Sequence, residues 1–157
     1  MFNLFKKEKT LTSVANGKVI GITKVPDQVF SQKFLGDGFA VIPTTGEFFS
    51  PASGTVTDVT STLHAYCITS DDGLEILVHI GIDTVELKGT GFKPLVKRGD
   101  RVTQGDAIAS ANLELIKEKG YNITTVVAIT NTEKMHKFKV LESPSAKAGS
   151  PAMTYKI

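Results

Sequence analysis

Thr62-Leu63-His64-Ala65-Tyr66-Cys67-Ile68-Thr69-Ser70-Asp71-Asp72-Gly73-Leu74-Glu75-Ile76-Leu77-Val78-His79-Ile80-Gly81 reads as a β-hairpin. Two runs rich in aliphatic, β-branched and aromatic residues flank an Asp-Gly pair, the strongest short-range signal for a turn between antiparallel strands. If Asp72-Gly73 form a two-residue loop, Tyr66 stands opposite His79 and His64 opposite Gly81. A four-residue loop, Ser70 to Gly73, places His64 directly opposite His79. Side chains alternate faces along a strand, so both registers project His64, Tyr66, His79 and Thr62 from one face and Cys67 from the other. The two histidines then lie within about 8 Å of each other by their backbones. Only an odd loop length or a bulge would separate them.

Outward from the hairpin the pattern is the same. Lys18–Ile22, Ala40–Pro43, Gly54–Thr60 and Ile123–Thr130 read as short strands. Turn signals at Pro26-Asp27, Gly36-Asp37-Gly38, Pro51 and Gly99-Asp100 break them up. One segment, Leu113–Lys119, reads as a helix that Asn112 caps and Gly120 ends. Ala15-Asn16-Gly17-Lys18-Val19 recurs faintly as Ala52-Ser53-Gly54-Thr55-Val56, and Gly99-Asp100 recurs as Gly105-Asp106. The fold class expected is all-β, an antiparallel sandwich or barrel with at most one or two short helices.

The 157 residues suit one domain. It is expected over residues 12–157, preceded by a tail over residues 1–11. Phe2, Leu4 and Phe5 followed by Lys6 and Lys7 have the character of a short amphipathic segment, so residues 1–9 are a candidate for peripheral membrane contact. A net charge of +2 and no long Lys/Arg run argue against nucleic acid as a partner. No segment reaches the roughly 18 apolar residues of a membrane span, and the start lacks a signal-peptide pattern. One cysteine, Cys67, excludes an internal disulfide framework and fits a reducing compartment. A cytoplasmic protein is expected.

Two of the three histidines converge on one hairpin. Neutral imidazole is a good nucleophile near pH 7, because its ordinary pKa is about 6.5. One histidine can attack phosphorus while the other stabilises the phosphoryl oxygens, with the Thr62 hydroxyl fixing a tautomer. A phosphoprotein donor would make a nucleotide site unnecessary, and no GxxxxGK[ST] loop is present. Gly81 leaves room beside His79, and Asp83 can orient an imidazole, bind a metal or pair with a partner's arginine. The alternative is a zinc-dependent hydrolase with His64, His79 and Asp83 as ligands and Glu75 as base. A biotin or lipoate carrier would need a lysine at the hairpin tip, and Asp72-Gly73 supplies none. His136, within Glu133-Lys134-Met135-His136-Lys137, reads as a surface residue.

The run Leu77-Val78-His79-Ile80-Gly81-Ile82-Asp83-Thr84-Val85-Glu86-Leu87-Lys88-Gly89 resembles the phosphorylation-site segment of glucose-family enzyme IIA, of the bacterial phosphoenolpyruvate:sugar phosphotransferase system. Gly36-Asp37-Gly38, Thr62, His64-Ala65, Ser70-Asp71-Asp72-Gly73 and the Gly99–Asp106 turns extend the resemblance across nearly the whole chain. It implies a sandwich of the duplicated hybrid-motif type. It implies that Nε2 of His79 accepts a phosphoryl group from the phosphohistidine carrier HPr and donates it to a cysteine of a IIB sugar-permease domain. His64 would support the transfer, and Thr62 would be its hydroxyl partner. Asp37 and Asp83 would meet an arginine of HPr, within an apolar collar of Phe39, Tyr66 and Val85. No cofactor is required, although zinc between His64 and His79 is compatible with the resemblance. The sugar is not legible, because a IIA domain does not contact it.

Overall fold

The computed structural model describes residues 7–157. Among these residues fourteen strands run in chain order: β1 (Lys9–Thr12), β2 (Gly17–Gly21), β3 (Asp37–Pro43), β4 (Glu47–Phe49), β5 (Gly54–Val59), β6 (Ala65–Ser70), β7 (Glu75–His79), β8 (Phe92–Pro94), β9 (Arg101–Val102), β10 (Ala107–Ala111), β11 (Thr125–Ile129), β12 (His136–Val140), β13 (Ser143–Ala146) and β14 (Pro151–Lys156). Two short helices, α1 (Gln28–Ser31) and α2 (Leu113–Glu118), complete an all-β fold. The main sheet has the order β13-β2-β3-β11-β7-β6-β5-β9. Two three-stranded sheets, β1-β14-β12 and β4-β10-β8, accompany it.

Strand alternation divides the apolar residues between the two faces of the main sheet. Val19, Phe39, Tyr66, Ile68, Ile76, Val78 and Val127 join Leu11 and Met153 of one small sheet and Phe48 and Ile108 of the other in a single core. Ile20, Ala40, Val126 and Ala128 form a second, smaller cluster on the other face, covered by Ile22, Val25, Phe30 and Ile82. The second cluster surrounds the functional site. Phe30 rides on α1, just past the Pro26-Asp27 turn signal and in a segment whose sequence shows no element. A four-residue helix has no apolar period to detect, and only Asp27, whose carboxylate accepts the Val29 N–H at 2.9 Å, marks its start.

The hairpin forms, but in neither expected register. Ala65 pairs with His79, Tyr66 with Val78 and Thr69 with Glu75. The Ser70 N–H bonds to the Leu74 carbonyl at 2.8 Å, which leaves a three-residue loop, Asp71-Asp72-Gly73, with Gly73 left-handed at φ +92°. The Ser70 hydroxyl accepts the Leu74 N–H and bonds Asp72, whose other oxygen accepts from Tyr155 and pairs with Lys9. These partners hold the odd loop. An odd loop flips alternate side chains. Tyr66 therefore faces the core, while Cys67 shares the His79 face.

The faint repeat is structural. Ser13 and Ser50 are both fully buried, and each donates its hydroxyl to the carbonyl two residues on, at Ala15 and Ala52. Gly17 and Gly54 then open β2 and β5, and a Cβ at either would fall within 2.1 Å of a neighbouring strand's carbonyl oxygen. The doubled Gly-Asp turn is repeated too: the Asp100 carboxylate accepts the Lys97 N–H, and that of Asp106 accepts the Thr103 N–H. The expected tail boundary is corrected. Lys9, Thr10 and Leu11 belong to β1, paired with Tyr155, Thr154 and Met153, and Leu11 is fully buried. Of the candidate membrane segment over residues 1–9, the first six lie outside the described residues, and Lys9 belongs to β1.

Candidate functional site

His79 ends β7, and the backbone turns sharply behind it. Gly81 adopts φ +78°, where a Cβ would stand 2.4 Å from Thr84 Cγ2. The turn brings the Gly81 carbonyl to 2.8 Å from His79 Nδ1. A carbonyl only accepts, so Nδ1 carries the proton and Nε2 keeps its lone pair. Burial pushes the His79 pKa down. The Gly81 bond and the Asp27 and Asp83 charges pull it back up.

His64 reaches His79 by a different route from the one expected. Strand alternation stops at Ala65, and Leu63 takes a left-handed φ of +61°. The His64 carbonyl still accepts the Ile80 N–H at 2.7 Å, and the rings meet edge to face with centroids 4.8 Å apart. Thr62 Oγ1 lies 2.8 Å from His64 Nδ1. Thr60, which the sequence reading did not single out, places its Oγ1 3.4 Å from the same nitrogen and accepts the Ala65 N–H. His64 is 6% exposed, and burial, then the nearby His79, lower its pKa to about 4. The ring is neutral at pH 7. When a threonine hydroxyl donates to Nδ1, Nε2–H is free to donate outward.

The two expected carboxylates sit at different distances from His79. Asp37 pairs across β11 with the Ile76 row, three residues along the strands from His79, whose own row holds Val126 and Ala40. Its carboxylate is taken by Lys33 at 3.0 Å and by the Gly38 N–H. The two glycines of Gly36-Asp37-Gly38 serve packing: a Cβ at Gly36 or Gly38 would fall about 2 Å from a β11 carbonyl oxygen. The acidic residues whose charges act on His79 are Asp27, at the cap of α1, and Asp83, at the left-handed start of the 3₁₀ turn Thr84–Leu87.

The collar also changes. Phe39 and Tyr66 are 0% exposed on the core face, turned away from His79, so neither can meet a partner. Val85 is 44% exposed. Val29, on α1, and Phe34 and Leu35, on the turn after it, are also exposed apolar groups, with Phe34 70% exposed. Phe30 itself packs on His79, with ring centroids 5.0 Å apart. Turn-like composition around Pro26-Asp27 hid all of these. Among the described residues no three His, Cys, Asp or Glu side chains converge on one point, so the ligand set His64, His79 and Asp83 does not assemble.

Comparison with known proteins places this geometry in a family. Residues 9–135 match the family described as phosphoenolpyruvate-dependent sugar phosphotransferase system, EIIA 1. The chain belongs to the EIIA family. It is 40% identical over 147 residues to the PTS system glucose-specific EIIA component of Halalkalibacterium halodurans, covering 94% of this chain and 85% of that one. It is 43% identical over 138 residues to the protein of the same description from Buchnera aphidicola, covering 87% and 86%. The PTS system glucose-specific EIICBA component of Streptococcus pneumoniae matches at 44% over 136 residues, 87% of this chain and 19% of that protein. A solved structure described as glucose permease IIA from Mycoplasma capricolum superposes with a TM-score of 0.88 at 32% identity, covering 98% of this chain and 99% of that one. This EIIA protein is therefore an all-β phosphocarrier of the sugar phosphotransferase system. No helix among its described residues is long and apolar enough to cross a membrane.

Proposed function

We propose that His79 is the phosphoryl acceptor, charged by phospho-HPr and discharged to a cysteine of a IIB domain. The carrying observation is the 2.8 Å bond from His79 Nδ1 to the Gly81 carbonyl, which presents an unprotonated Nε2. Its lone pair attacks phosphorus as the nitrogen–phosphorus bond of the donor phosphohistidine breaks. In the second transfer the thiolate sulfur attacks and His79 Nε2 leaves with its lone pair restored. His64 donates Nε2–H to a phosphoryl oxygen, supported by Thr62 at Nδ1. Asp27 and Asp83 attract the basic face of HPr, and Val29, Phe34, Leu35 and Val85 form the apolar rim. A relative in which an EIIA segment is one part of an EIICBA polypeptide supports the IIB acceptor. The transfers themselves use no nucleotide and no metal, and they take place in the cytoplasm.

The test mixes the protein with phosphoenolpyruvate, enzyme I and HPr and maps the modified residue. The expected product is a phosphohistidine at His79, labile in acid and stable in base, and absent from His79→Gln. A label on His64 would overturn the assignment. Metal-stripped protein should accept phosphate at the same rate.

A further inference from the structure

Beyond the groups that carry protons and charge, one apolar side chain bears directly on His79. Phe30 lies with its ring centroid 5.0 Å from that of His79 and its plane inclined by 59°. Its own freedom is small. It is buried among Ile20, Ile22, Val25, Ala40 and Ile82. Its helix is closed at the start by the Asp27 cap and at the end by the Gln32 N–H on the Gln28 carbonyl at 3.0 Å. The rotation of an imidazole about its last side-chain bond is otherwise broad. The Gly81 bond fixes one atom of the His79 ring and leaves the plane free to swing about that contact. His64 meets the ring edge to face, and Phe30 supplies a second, rigid contact.

We propose that Phe30 is a positioning residue for phosphoryl transfer, which holds the His79 ring plane so that Nε2 faces the incoming phosphorus and keeps water off the ring. This rests on the reading of His79 as the acceptor. A misdirected lone pair lengthens the path to the in-line geometry, so orientation alone carries a large rate effect. Phe30 covers part of the His79 ring, and burial of that ring lowers its pKa. The charged or titratable groups around the ring are His64 from the turn before β6, Asp27 from the α1 cap and Asp83 from the turn after Gly81, and the two carboxylates oppose that shift.

The experiment compares wild type, Phe30→Leu and Phe30→Ala by two readouts: nuclear magnetic resonance titration of the free protein's histidines and single-turnover phosphorylation by phospho-HPr from pH 5.5 to 8. In Phe30→Ala the His79 midpoint should rise while His64 stays low. Phosphorylation should slow by about ten-fold or more, with its acid limb moved to higher pH. Phe30→Leu, which keeps apolar bulk, should fall between, and it carries the test if the alanine variant does not fold. An unchanged His79 midpoint, or a phosphorylation rate near that of wild type in both folded variants, would reduce Phe30 to ordinary packing. The acceptor reading fails separately, if wild type itself takes no label at His79.

Discussion

Gly81 gives His79 its tautomer, and it does so through a backbone angle that other residues adopt at a cost. Alanine there would pay about 1–2 kcal/mol for the left-handed conformation, with a further penalty because its Cβ would meet Thr84 Cγ2 at 2.4 Å. Gly81→Ala should lower stability in urea melts and slow phosphorylation as the carbonyl leaves Nδ1. Full activity would show that the 2.8 Å bond is incidental. His64 makes a pH prediction of its own. Its pKa is about 4 in the fold and 6.5 in an unfolded chain. Between those values the unfolded state binds the extra proton, so folding stability should fall as pH drops from 6.5 toward 4. A series of thermal melts over that range should show a steeper decline for wild type than for His64→Gln. Parallel curves would mean that His64 titrates normally in the folded protein.

Two short elements frame the site: α1 with its Asp27 cap, and the 3₁₀ turn Thr84–Leu87 with Asp83 at its start. Asparagine also caps helices, so Asp27→Asn removes the charge and leaves α1 closed. The double change Asp27→Asn with Asp83→Asn should slow association with phospho-HPr at low salt, and the defect should shrink as salt rises. Exposed charge pairs are worth about 0.2–1 kcal/mol each, so the low-salt loss should stay within about thirty-fold. Asp37→Asn is the control. It should leave association unchanged, because its carboxylate already holds Lys33 and the Gly38 N–H. If Asp37→Asn slows association and the double variant does not, the docking face has been placed at the wrong end of β3.

At the scale of the whole molecule, the small sheets close the core against the main one, and β1 joins them through residues close to the chain's start. Leu11 is fully buried beside Met153. Leu11→Ala should cost about 2–5 kcal/mol by denaturant unfolding, while phosphorylation at temperatures where it stays folded should be near normal. A loss below 0.5 kcal/mol would show that β1 is an appendage. Lys9 and Tyr155 also hold Asp72 at the hairpin tip. The same small sheet thus packs the core and supports the odd loop that sets the β6–β7 register.

Local chemistry was enough to read the central strands of the main sheet, the Asn112-capped helix and the repeated Ala-x-Gly-x-Val phrase, and the long motif was enough to single out His79 with His64 and Thr62, although the expected register was not the one that brings them together. Each of these rests on contacts within a few residues, on strand alternation or on a long motif. The tertiary structure decided the rest. The loop length at Asp71-Asp72-Gly73 depends on Tyr155 and Lys9, residues remote in the chain, so no local rule predicted that Tyr66 would turn inward. Asp27 joins Asp83 beside His79 because α1, too short to show a period, folds back over the site, while β3 carries Asp37 past it. Phe30 was invisible for the same reason: its partners Ile20, Ala40, Val126 and Ile82 come together only when four separate segments pack on one face of the sheet.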